Sequence, residues 1–144
     1  MVRVALTNSM GELFIDPEPE WLRRRLDECD PEFWEDGAGD CGLDFELDGE
    51  PHASMTLVGR SGMGFLVSHS FSRERTHSLV GDQTATGTVA VSICGEPVRF
   101  FKRYVATPSL AWAAVEHFLS TGDRTDGLAW ELGTMPDETS GLLP

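Results

Sequence analysis

No run in this sequence approaches the roughly 18 apolar residues of a membrane-spanning helix. The opening MVRVALTNSMGELFIDPEPE also lacks an apolar core with a cleavage site behind it. Three cysteines, Cys29, Cys41 and Cys94, are an odd number and cannot all pair internally. Neither they nor His52, His69, His77 and His117 form a close C-x-x-C or H-x-x-x-H pair, so no disulfide framework, structural zinc or other metal site is expected. Asp36, Asp40 and Asp44 miss the one-three-five spacing of a calcium loop. The S-x-x-K and G-x-S-x-G signatures of activated serines are missing, and GRSGMG (59–64) is no phosphate loop because it joins two strand-like runs. Ser68, His69 and Asp82 are a chance-level triad. These absences leave no cofactor motif and favour a reduced, cytoplasmic protein that is not an enzyme.

The most pointed absence is of positive charge. Residues 27–50, DECDPEFWEDGAGDCGLDFELDGE, hold eleven carboxylates and no Lys or Arg. The chain carries a formal charge of -13, and residues 1–50, with 15 acidic and 4 basic groups, account for -11 of it. Such a field repels phosphate backbones and anionic lipids, so nucleic acid and membranes are excluded as direct partners and a basic protein is favoured. High charge also serves plain solubility. Yet a disordered acidic tail would not carry Phe33, Trp34, Leu43, Phe45 and Leu47.

At 144 residues and 40% hydrophobic content the chain suits one domain with one real core. Val2, Val4 and Leu6, and then Leu13 and Ile15, alternate as a strand pair turned through Asn8–Gly11. Leu22, Leu26 and Cys29 share one face of a helix started near Pro17–Glu20, with Glu20–Arg24 and Arg23–Asp27 as ion pairs on its solvent side. Leu43, Phe45 and Leu47 alternate with Asp44, Glu46 and Asp48, a half-buried strand with an outer row of carboxylates. Further strands are expected at 53–58, 65–70, 77–81, 88–93, 98–105 and 128–132, with a hairpin turn at Cys94–Gly95–Glu96. Thr107 caps a helix whose stripe is Leu110, Ala111, Ala114, Val115, Phe118 and Leu119, closed by Gly122. The expected fold is α+β. It is a single domain over 1–132, a mostly antiparallel sheet of about six strands with one N-terminal and one C-terminal helix, and a fraying tail at 133–144. Trp112 and Trp130 read as core, whereas Trp34, set among carboxylates behind Phe33, reads as an exposed hot spot.

From Gly81 onward the sequence GDQTATGTVAVSICGEPVRFFKRYVATPSLAWAAVEHFLSTGDRTDGLAWEL resembles the C-terminal half of the first Imm family of immunity proteins from bacterial polymorphic toxin systems. The likeness lies in Gly81–Asp82, the hairpin over Gly95–Glu96, Phe118–Leu119 followed by Ser120–Thr121–Gly122, and the closing Trp130–Glu131. The N-terminal third matches in layout. The resemblance implies a small cytoplasmic antidote, a monomer that binds its cognate toxin one to one. The toxin would be a basic nucleic-acid deaminase, blocked by an acidic surface covering its substrate cleft. Contacts are then expected from Phe33, Trp34, Glu35, Asp36, Asp40, Asp44, Glu46 and Asp48. The competing readings are an acidic adaptor or nucleic-acid mimic directed at another basic protein, and a small ligand-binding protein or enzyme built around His69 and His77.

Overall fold

Alternating side chains make strand the commonest regular structure in this chain. A computed structural model describes residues 1–71 and 75–133. In order these form β1 (Val2–Thr7), β2 (Leu13–Ile15), α1 (Pro19–Glu28), α2 (Pro31–Trp34), β3 (Cys41–Leu47) and β4 (Glu50–Arg60). There follow β5 (Gly64–Phe71), β6 (His77–Leu79), β7 (Thr88–Ile93), β8 (Glu96–Phe101), a single 3-10 turn (Lys102–Tyr104), β9 (Val105–Ala106), α3 (Pro108–Thr121) and β10 (Trp130–Leu132). The main sheet runs β10-β6-β5-β4-β3-β1-β2, with β9 also paired to β5, while β7 and β8 form a separate hairpin. Each pairing is antiparallel. The fold is α+β, as expected, with ten strands and three helices in the described residues. All but Gly133 of the segment expected to fray lies outside the described residues.

Hydrophobic faces must be covered, and this sheet is covered on both sides. Leu43, Phe45, Met55, Leu57, Phe65 and Val67 face the helices, meeting Leu22 and Leu26 of α1, Trp34 of α2 and Ala111, Val115 and Phe118 of α3. On the opposite face Val58, Leu66 and Val80 pack under the β7–β8 hairpin, against Val91, Phe100 and Tyr104. The hairpin is also tied by Arg60. Its buried guanidinium donates to the carbonyls of Gly59 (2.9 Å) and Ser92 (2.7 Å).

Local signals work as their chemistry predicts. Thr107 Oγ1 accepts from the Leu110 amide (3.2 Å) at the start of α3, and Gly122, at φ +75°, closes the helix by donating to the Phe118 carbonyl (2.8 Å). Asp48–Gly49 and Cys94–Gly95 each supply two positive-φ residues, the twist that a two-residue hairpin requires. Two contacts late in the chain hold the scaffold together. The amides of Gly81 and Asp82 both donate to the Arg103 carbonyl, at 2.7 and 3.0 Å, and Glu131 accepts from Arg103 (3.1 Å) and from the Tyr104 hydroxyl (2.9 Å).

Three local expectations are corrected. In β2 it is Phe14 that faces inward, leaving Leu13 (60%) and Ile15 (45%) exposed. Around α1 the ion pairs are Glu20–Arg23 and Arg25–Glu28, three residues apart, in place of Glu20–Arg24 and Arg23–Asp27. The loop expected to carry Phe33 and Trp34 begins with one turn of helix. Asp30 caps it, its Oδ1 accepting from the Glu32 amide (3.3 Å), and Pro31 fills the first position.

Candidate partner-binding surface

That extra turn decides where the acidic segment points its aromatics. The turn rotates Trp34 into the main core, where it is 0% exposed, its indole Nε1–H donating to the Arg25 carbonyl (2.8 Å) and its ring edge-on to Phe65 (5.0 Å). Trp34 is therefore a core residue, and its expected role as an exposed hot spot is wrong. A buried indole needs a partner for its N–H, and this carbonyl supplies it. Phe33 is 6% exposed. It too is no free-standing contact, although one face of it lines a cleft.

The carboxylates behave differently. Glu35 and Asp36 are exposed and Asp40 is half-buried, on a loop that is tightly held by its backbone. The Ala38 amide donates to the Ser9 carbonyl (2.9 Å), and the Cys94 amide donates to the Ala38 carbonyl (2.7 Å). Gly37, Gly39 and Gly42 happen to fall at the spacing of a dinucleotide-binding loop. Here, however, the segment runs from a helix into a strand, the reverse of that motif. Gly39 is needed for another reason: a Cβ there would lie 2.6 Å from the Ser92 carbonyl oxygen, and its φ is +87°.

Beyond the loop, β3 presents Asp44 and Glu46 on the face away from the helices, as the alternation implied. Asp44 is exposed and stands in a row with Ala5, Ser54 and Ser70 of the neighbouring strands. Burial against the sheet, and then the nearby Glu46, push its carboxyl above the ordinary range. Glu46 is half-buried and stands directly opposite Arg3, a cation that dilutes the row at this end. Asp48 is not on the strand; it is the first turn residue, at φ +51°, and pairs with the N-terminal amine. Two-residue steps along a strand space the outward carboxylates by about 7 Å. Next to this row a shallow cleft of about 290 Å³ opens between the Asn8–Gly11 turn and the acidic loop, floored by Thr7, Gly42 and Thr56.

A second cleft, of about 320 Å³, lies on the other side of the same turn. Phe14, Trp21 and Phe33 form its apolar wall, and Glu12, Asp30 and Glu32 its rim. Sequence reasoning missed this group because its members come from β2, α1 and α2. The available signal was Trp21 with Arg25, one helical turn apart on α1.

His69 and its surroundings do not assemble a catalytic group. Ser68 and His69 are adjacent on β5 and so point to opposite faces, and the Asp82 carboxylate accepts from the Thr84 amide and hydroxyl (3.0 and 2.7 Å). The imidazole is fully buried, with Nε2–H donating to the Gly122 carbonyl (2.8 Å) and Nδ1 facing Arg124 Nη1 (3.3 Å). Burial, joined by the Arg124 charge, keeps it below its usual pKa and thus neutral. Its position explains it as a tie between β5 and the end of α3.

Cys29 and Cys41 are buried, Cys94 is exposed, and all three are unpaired. Burial lifts the Cys41 thiol to about 12. Among the described residues no cluster of three metal-ligating side chains occurs, and no helix is long and apolar enough to cross a membrane. No protein-family model matches the chain, and no curated protein matches it.

Proposed function

We propose that this protein is an immunity protein, a cytoplasmic antidote that binds a cognate polymorphic toxin one to one and covers its substrate cleft with carboxylates. The observation that carries the reading is the acidic segment itself: eleven carboxylates without one Lys or Arg, on a backbone pinned at Ser9 and Cys94. A solvating tail has no use for that order. A binding surface does, because a pre-organised loop loses little conformational entropy when it docks.

The toxin is, on this reading, a nucleic-acid deaminase. Such an enzyme lines its approach with cations that meet phosphates and turns a base into a pocket. Glu35, Asp36, Asp40, Asp44 and Glu46 would stand where phosphates otherwise lie, and a long-range field of this size accelerates encounter. Trp34 takes no part; the core requires it.

The test is association kinetics with a basic deaminase toxin domain, sought first in the gene next to this one. Reversing Asp44 and Glu46 to Lys together is expected to slow association about tenfold at low salt and to flatten its salt dependence, since screening acts on the steering term. An unchanged rate and slope would remove β3 from the interface. Tight binding to some other basic protein, with none to that toxin, would favour the nucleic-acid-mimic reading instead.

A further inference from the structure

The cleft beside the Asn8–Gly11 turn has a composition that the acidic row lacks. Three aromatic rings from three elements meet there: Phe14 and Trp21 with centroids 5.1 Å apart, Phe14 and Phe33 at 5.9 Å, and Trp21 and Phe33 at 5.7 Å. A cation within about 6 Å of such ring faces is attracted by their quadrupoles. The protein's own Arg25 already shows the kind of group that fits. Its guanidinium carbon lies 5.2 Å from the Trp21 ring centre and 5.6 Å from that of Phe33.

Arg25 does not balance the site. Glu12, Asp30 and Glu32 stand on the rim against this one cation. Glu12 is fixed there, since its Oε1 accepts from the side-chain amide of Asn8 (2.8 Å), which is itself buried. Asp30 uses one oxygen on the Glu32 amide, and the Glu32 carboxylate makes no hydrogen bond among the described residues. The cleft therefore combines π-faces, surplus negative charge and about 320 Å³ of space.

We propose that this cleft is a cation-binding pocket that takes an arginine side chain of the protein's basic partner, stacked on Trp21 and Phe14 and paired with Glu12 and Glu32. Arginine suits it better than lysine, because a planar guanidinium stacks on rings while its edge donates to carboxylates. Docking of this kind would anchor the complex and set its lifetime, where the acidic row sets the rate of encounter. The choice of occupant rests on the partner being a basic protein; the pocket itself does not.

The pocket is tested on the free protein. N-acetyl-arginine amide is titrated into isotope-labelled protein, following the Trp21 indole N–H and the Glu12 and Phe33 amides by NMR. Saturable shifts are expected, with the neutral citrulline analogue at least about tenfold weaker. Trp21→Leu, which keeps apolar bulk and loses the π-face, is expected to weaken binding roughly tenfold, and Arg25→Gln, which clears the resident guanidinium, to strengthen it. Shifts that fail to saturate, or equal binding of the citrulline analogue, overturn the pocket. Saturable binding with Trp21→Leu leaving the toxin complex's lifetime unchanged overturns the partner's arginine as occupant. A protein that binds no toxin at all yet still binds the arginine amide would reject the immunity reading and keep the pocket.

Discussion

Replacing Asp44 by Asn should make the free protein more stable and a poorer binder, and the two effects can be measured separately. Among the described residues the Asp44 carboxylate accepts no hydrogen bond, so no partner is orphaned by the change. What is removed is repulsion. Glu46 lies two residues along the same strand face, about 7 Å away. Two unit charges at that distance cost about 0.6 kcal/mol in water, and physiological salt reduces this to about 0.3 kcal/mol. Partial burial adds to the cost, and exposure limits how much, so a total of about 0.3 to 1 kcal/mol follows. In a protein of this size that is a rise in Tm of about 1 to 4 °C.

The pH dependence fixes the cause. Burial and Glu46 raise the Asp44 pKa above its ordinary 3.8, so the folded state holds this proton more tightly than the unfolded chain. Ionisation then costs stability, fully so above the folded pKa and not at all below 3.8. The gain from Asp44→Asn should accordingly be complete at pH 7 and shrink toward nothing as the pH falls to that value. Thermal melts of both proteins across pH 3.5 to 7.5 test this. A lower Tm for the variant at pH 7, or a gain independent of pH, would refute the reasoning. A row that costs stability where nothing structural needs it is what a functional surface looks like.

Other perturbations have equally definite outcomes. Trp34→Ala should cost about 3 to 5 kcal/mol in urea unfolding, by cavity formation and loss of the bond to Arg25; a cost under about 1 kcal/mol would contradict its burial. Gly81→Ala should fail to reach the native fold or lose several kcal/mol, because an added Cβ collides with the Val105 carbonyl; a near-neutral circular-dichroism melt would disprove that packing. His69→Gln should flatten the acid limb of the stability curve. The wild-type imidazole has a folded pKa below 6.5, so its stabilisation is complete above that value and is lost as the pH falls through the folded pKa; parallel wild-type and variant curves would exclude the assignment.

The sequence announces its strands and long helices clearly, since periods of two and of about 3.6 survive in single elements such as Leu43–Phe45–Leu47 and Ala111–Val115–Phe118. Caps and turns are legible for the same reason: Thr107, Gly122 and Cys94–Gly95 act on their immediate neighbours. What was misread depends on pairs of elements. Whether Phe14 or Leu13 and Ile15 face inward depends on register with β1, which short alternation leaves open. Trp34 looked exposed because charge surrounds it in sequence, yet Asp30–Pro31 is a helix start, and one turn is enough to bury it. The outward row of Asp44 and Glu46 was readable, whereas the Phe14–Trp21–Phe33 cleft was not, because three elements must meet to make it.

The hairpin on the outer face has a dynamic consequence. Its six-residue core, Val58, Leu66, Val80, Val91, Phe100 and Tyr104, is much the smaller of the two, so it is the natural unit to open by itself while the main sheet stays folded. Ala38 of the acidic loop bonds to Cys94 at the hairpin's tip, and Gly39 is wedged against Ser92. Part of the loop's order is thus on loan from the hairpin, the rest being held by Ser9. Each opening of the hairpin frees one of the loop's two ties and leaves Ala38 held at Ser9, so the Cys94 amide should exchange with solvent at the hairpin's opening rate and the Ala38 amide more slowly.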